Sequence, residues 1–151
     1  MTTLADVLLA PERRDALIAR TAQWVDEYVG ALAGLRGMAL RAGLAAARAV
    51  RPDAVERGVT RLLPEFAAAL EPFWQDFRAS GRASGGRDFG AYLRQHAAPA
   101  SAAMMARVDA RMAGTSHRAL AAAYRRLRGT LAAELERTLP DVARMLGRTL
   151  A

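Results

Sequence analysis

The chain has 151 residues, no cysteine and a formal net charge of +7; it is long enough to close one core without a staple, and disulfides, thiolate catalysis and cysteine-based zinc sites are excluded. All 22 basic residues are arginine, so lysine Schiff-base chemistry and a P-loop lysine are excluded as well. Thirty-six residues are alanine, eight valine and one isoleucine, a balance that favours helix because alanine and leucine lose little entropy there and β-branched strand formers are scarce.

Thr3 with Asp6 three residues later has nearly the form of a capping box and predicts a short helix from Leu4 to Ala10. Pro11 fits the first turn of a second helix, on which Leu17, Ile18, Thr21, Trp24, Val25, Tyr28, Val29 and Leu32 recur at spacings of three and four and mark one buried face. Gly30, Gly34 and Gly37 contain its end. From Leu35 to Val50 the only charges are Arg36, Arg41 and Arg48. On a helix Arg41, Arg48 and Arg51 fall within about 80° of one another, a basic stripe that shares a face with Leu40 and Leu44 while the rest is glycine and alanine. Asp53 with Glu56 is a further capping signal, and Val55, Val59, Leu62, Phe66, Leu70, Phe73 and Phe77 continue one helical face through Pro64 and Pro72, each of which predicts a break or kink.

Ser80 to Arg87, with three glycines, reads as the loop separating the two halves, and Asp88 as the N-cap of a short helix carrying Phe89, Tyr92 and Leu93. Pro99 is expected to interrupt the next segment, with a methionine-bearing helix from about Ser101 to Ala113 closed by Gly114. From Ser116 a regular helix carries Leu120, Tyr124, Leu127, Leu131 and Leu135, and Thr138, Pro140 and Asp141 are read as opening a last one. The longest stretch without a formal charge, Gln95 to Ala106, has 12 residues, shorter than the ~17 that a membrane span needs. With no secretory leader at the start, the reading is a soluble, cytoplasmic chain without a transmembrane segment.

Thr3-Leu4-Ala5-Asp6, the Gly/Ala/basic segment from Gly34 to Pro52, Leu62-Leu63-Pro64-Glu65-Phe66, Leu70-Glu71-Pro72-Phe73, Asp88-Phe89 with Tyr92-Leu93, Asp109-Ala110-Arg111, and Tyr124 with Leu127-Arg128 resemble a family of short Ala/Arg-rich helical bacterial proteins classed only as a domain of unknown function. The likeness spans nearly the whole chain. It implies a helical fold and nothing about chemistry; in the family, lysine often stands where this chain has Arg41 and Arg48.

Little in the sequence points to catalysis. His96 and His117, the only groups with an ordinary pKa near neutrality, lie 21 residues apart and outside any metal-binding spacing. Ser80, Ser84, Ser101 and Ser116 occur in neither GxSxG nor SxxK and suit caps and turns. Glu65 and Asp76 would lie about 16 Å apart along a straight helix, too far for a glycosidase pair. The aromatics between Phe66 and Tyr92 sit among balanced charge and are expected to pack against Trp24 and Tyr28. Positive charge concentrates in residues 36–61, at +4, and 94–151, at +6.

The expected architecture is therefore an all-α, single-domain bundle over residues 1–151, of about six or seven helices with proline breaks or kinks at Pro64, Pro72 and Pro99. The leading functional expectation is a non-enzymatic binding protein that engages an anionic surface, lipid headgroups or an acidic protein, through Arg36, Arg41, Arg48 and Arg51, with no cofactor and no metal. The alternative is nucleic-acid binding through the same arginines and the C-terminal ones. Less favoured is a hydrolase using Glu71, Asp76 and His96.

Overall fold

In a computed structural model, residues 3–79 and 89–150 are described, and among them the chain forms helices only. Thr3 opens α1 (Leu4–Leu8) with the full capping box: its hydroxyl accepts the Asp6 N–H at 3.0 Å and its own N–H donates to the Asp6 carboxylate at 2.9 Å. Those bonds, the one from the Thr3 backbone foremost, hold the Asp6 carboxyl below its ordinary value. Pro11 starts α2 (Pro11–Ala31) at the position where its missing donor costs nothing. Next come α3 (Gly34–Val50), α4 (Ala54–Ala79), α5 (Phe89–Gln95), α6 (Ala97–Ala113) and α7 (Arg118–Leu150). The expected Ser80–Arg87 loop and the Asp88 cap lie outside the described residues.

Pro99 and Pro140 behave differently from the expectation. Pro64 and Pro72 both lie inside one continuous α4; neither breaks it, although each withholds a helical N–H from the carbonyl four residues earlier. Pro99 is the third residue of α6, inside the first turn where donors have no helical partner anyway, so α6 starts at Ala97 rather than near Ser101. Ser101 is buried and its hydroxyl bonds the Ala98 carbonyl at 3.1 Å. Pro140 does not open a new helix: α7 runs through it, with Thr138 turned to the Leu135 carbonyl at 3.2 Å and Leu139 and Ala143 buried on either side. At Pro140 burial of an apolar face outweighs a local break signal.

One core joins every helix except α3. Leu4 and Leu8, Leu17, Ala67, Leu70 and Phe77, Phe89 and Leu93, Ala100 and Met104, and Leu139 and Ala143 form it. The aromatics gather where α4 meets α5: Phe89 stands edge-on to Trp74 at 5.2 Å, Phe77 lies 5.6 Å from Phe89, and Tyr92 stacks on His96 at 4.3 Å. They close on one another rather than on Trp24 and Tyr28, which stack together on α2 at 5.4 Å. No helix among the described residues is long and apolar enough to cross a membrane.

Candidate functional site

The basic segment forms α3, and its placement depends on two glycines. Gly34 takes φ +76°, the left-handed region that only glycine enters without strain, and lets the chain turn from α2 into α3. Gly37 faces the Leu32 carbonyl so closely that a Cβ there would lie 2.2 Å from its oxygen. α3 therefore lies tight against the end of α2, and Gly43 approaches the Leu127 side chain of α7.

Three of the four predicted site arginines are tied to neighbouring helices. Arg36 Nη1 lies 3.2 Å from Oε1 of Glu134 on α7. Arg41 Nη1 donates to the Leu32 carbonyl at 2.6 Å and the Val29 carbonyl at 3.2 Å, supplying donors to the last turn of α2. Arg48 pairs with Asp26 on α2. Arg51 stands 3.8 Å from Asp53 in a solvent-exposed pair. Leu40 is buried, and Arg36, Arg41 and Arg48 reach across to α2 and α7 while their side chains stay partly open to solvent.

The solvent-facing side of α3 is apolar. Leu35, Met38 and Val50 are 83, 60 and 84% exposed, and Ala39, Ala42, Ala45, Ala46 and Ala49 are exposed with them. At 3.6 residues per turn these eight positions cover about 140° of the helix without a charge. Arg36 borders that face on one side, and Arg41 and Arg48 on the other.

Glu134 is the buried charge of the site, and local pattern reading overlooked it. Its carboxylate takes the Tyr28 hydroxyl as well as the Arg36 contact, with Arg137 3.8 Å away. Burial first, and the bond to Glu134 second, push the Tyr28 hydroxyl up to about 12. Its sequence signal is position: Glu134 falls within about 20° of Leu127 on the wheel, beside the apolar stripe of α7. Asp26 carried no comparable signal.

The remaining candidates are accounted for locally. Glu71 accepts the Leu4 N–H at 2.7 Å and the Gln75 amide at 2.6 Å. His96 Nδ1 faces the Tyr92 carbonyl at 2.8 Å, between Tyr92 and Phe73. No hydrogen bond or ion pair among the described residues joins Glu71, Asp76 and His96. Glu65 faces Arg107 and Arg111 of α6 at 3.9 and 4.0 Å. His117 is exposed. No cluster of potential metal ligands occurs among the described residues. A cleft of about 370 Å³ opens between α2 and α7 beside Trp24, but its carboxylates are engaged, Glu27 by Gln23 and Asp141 by Arg144.

Asp109, Tyr124 and Arg128, three of the residues that carry the family resemblance, come together as a clamp between α6 and α7. Arg128 donates twice to the Asp109 carboxylate, at 2.7 and 2.6 Å, and the Tyr124 hydroxyl donates at 2.5 Å. The Arg128 bonds, then the Tyr124 bond, hold the Asp109 carboxyl at about 2. No curated protein and no solved structure matches the chain. A family model does, over residues 4–150: the chain belongs to a family of unknown function, DUF6918.

Proposed function

We propose that the protein is a non-enzymatic binding module that docks on an anionic lipid surface through α3. The observation that carries this reading is the exposed, charge-free outer face with Leu35, Met38 and Val50, bordered by Arg36, Arg41 and Arg48. An apolar face flanked by long cationic side chains matches the boundary between acyl chains and phosphate headgroups, where arginine stems reach past apolar surface to the charged layer. Charge complementarity supports an anionic occupant: α3 contains no acidic residue and the whole chain carries +7.

The face is rich in alanine, so insertion alone is weak. Full burial of a leucine, methionine or valine side chain contributes roughly 1.5–3 kcal/mol, and three partly inserted ones need electrostatic support of about 1 kcal/mol per arginine near the headgroups. Binding should therefore require anionic lipid.

Co-sedimentation with vesicles tests this. The protein is expected to pellet with phosphatidylcholine vesicles containing phosphatidylglycerol and to stay in the supernatant with phosphatidylcholine alone. Changing Leu35, Met38 and Val50 together to serine should abolish pelleting while leaving the helical circular-dichroism signal unchanged. Absence of pelleting with anionic vesicles, or retention by the triple variant, overturns the reading, and an acidic protein partner then becomes the occupant to test.

A further inference from the structure

Three features separate α3 from the rest of the bundle. None of its residues belongs to the hydrophobic cluster that joins the other six helices. Its own buried residues are Gly37 and Leu40 alone. Beside that packing, polar contacts made by its arginines hold it: Arg36 to Glu134, Arg41 to the Val29 and Leu32 carbonyls, and Arg48 to Asp26.

We propose that these arginines form a latch that anionic headgroups compete for, so that α3 is held by the bundle's own acids in solution and released toward the surface on binding. The inference rests on the docking role of α3 and adds its regulation. Two physical points favour exchange. The Arg48–Asp26 pair is substantially open to water, with side chains 38 and 41% exposed, and such pairs contribute little to stability; the attraction of one arginine to an anionic surface is of similar size. The groups left behind are also cared for. Asp26 meets water, and Glu134 keeps the Tyr28 hydroxyl and Arg137, so departure of Arg36 does not strand a buried charge.

The latch makes a prediction that a merely structural pair does not. Asp26→Asn and Arg48→Gln break the same contact, so both should speed hydrogen exchange of the α3 amides several-fold in solution, with α5 and α7 unchanged. On anionic vesicles they should diverge. Asp26→Asn frees Arg48 and should bind several-fold more tightly than the native protein, whereas Arg48→Gln removes the headgroup contact and should bind several-fold more weakly. Glu12→Gln raises the net charge by the same amount at an exposed position of α2 and serves as the control for general electrostatics.

Unchanged α3 exchange in Asp26→Asn overturns the latch whether or not vesicles bind. Equal vesicle affinity of Asp26→Asn and Glu12→Gln overturns it as well. Failure of the native protein to bind anionic vesicles, by contrast, sinks the docking role itself.

Discussion

Asp109 shows how a single side chain ties two helices together and leaves a measurable trace. Its carboxylate meets Arg128 through both oxygens and also takes the Tyr124 hydroxyl, so its charged form is favoured in the fold. The folded value of about 2 lies below the ordinary 3.8. A depressed carboxylate contributes stability that is fully present above the unfolded value and is lost as pH falls through the folded one. Thermal midpoints of the native protein and Asp109→Asn should therefore differ most above pH 4 and converge as pH falls toward 2; a gap that stays constant over that range would show that the clamp is not what titrates. Packing gives a second contrast at this scale. Leu139 is fully buried, whereas Leu120 is half exposed on the first turn of α7. Leu139→Ala should cost about 2–5 kcal/mol and Leu120→Ala no more than about 0.5 kcal/mol, both read from urea midpoints.

Among the elements, α3 is the one whose fit is set by backbone proximity. Gly37→Ala places a methyl group 2.2 Å from the Leu32 carbonyl oxygen, which belongs to backbone and also accepts from Arg41; the helix must shift, at a cost of about 1–3 kcal/mol. Gly58, in α4, has open space around the same position, so Gly58→Ala should instead stabilise by roughly 0.4–1 kcal/mol. Opposite signs in denaturant unfolding check this pair, and equal signs would contradict the placement of α3. The same helix explains what the sequence makes legible and what it hides. Starts and stops set by local chemistry are readable: Thr3 with Asp6, Pro11 and Gly114 act where their types predict. Pro140 misleads, because its cost is local while the burial that outweighs it comes from other helices. The arginine stripe of α3 is readable as a stripe, but its direction is not. Alanine is compatible with either core or solvent, so the wheel of α3 has no decisive inward face, and its partners Asp26 and Glu134 lie 22 and 98 positions away from Arg48 and Arg36.

For the molecule as a whole, +7 overstates the charge available to an external anion. Arg36, Arg48, Arg107, Arg111, Arg128, Arg137 and Arg144 all have acidic partners. On the first half of α7, however, Arg118, Arg125 and Arg126 are exposed and have none among the described residues. Arg118 and Arg125 are two turns apart, about 10 Å along the axis, which makes them the best place for a phosphate backbone to touch. Each phosphate that an arginine neutralises releases counterions and steepens the salt dependence, by about 0.9 in the slope of log K against log salt for duplex DNA. Contact through these three arginines alone thus allows a slope of about −3 at most, whereas a specific DNA-binding protein with 6–10 phosphate contacts shows a far steeper one. Retention on duplex DNA should accordingly be weak, have this shallow slope and vanish near physiological salt. Changing Arg118, Arg125 and Arg126 to glutamine should remove it without altering vesicle binding, because α3 is untouched. A slope steeper than about −6 with nanomolar affinity at physiological salt would mean that arginines beyond these three also engage nucleic acid, and if those include Arg36, Arg41 and Arg48, the latch on α3 would serve a nucleic-acid surface in place of a lipid one.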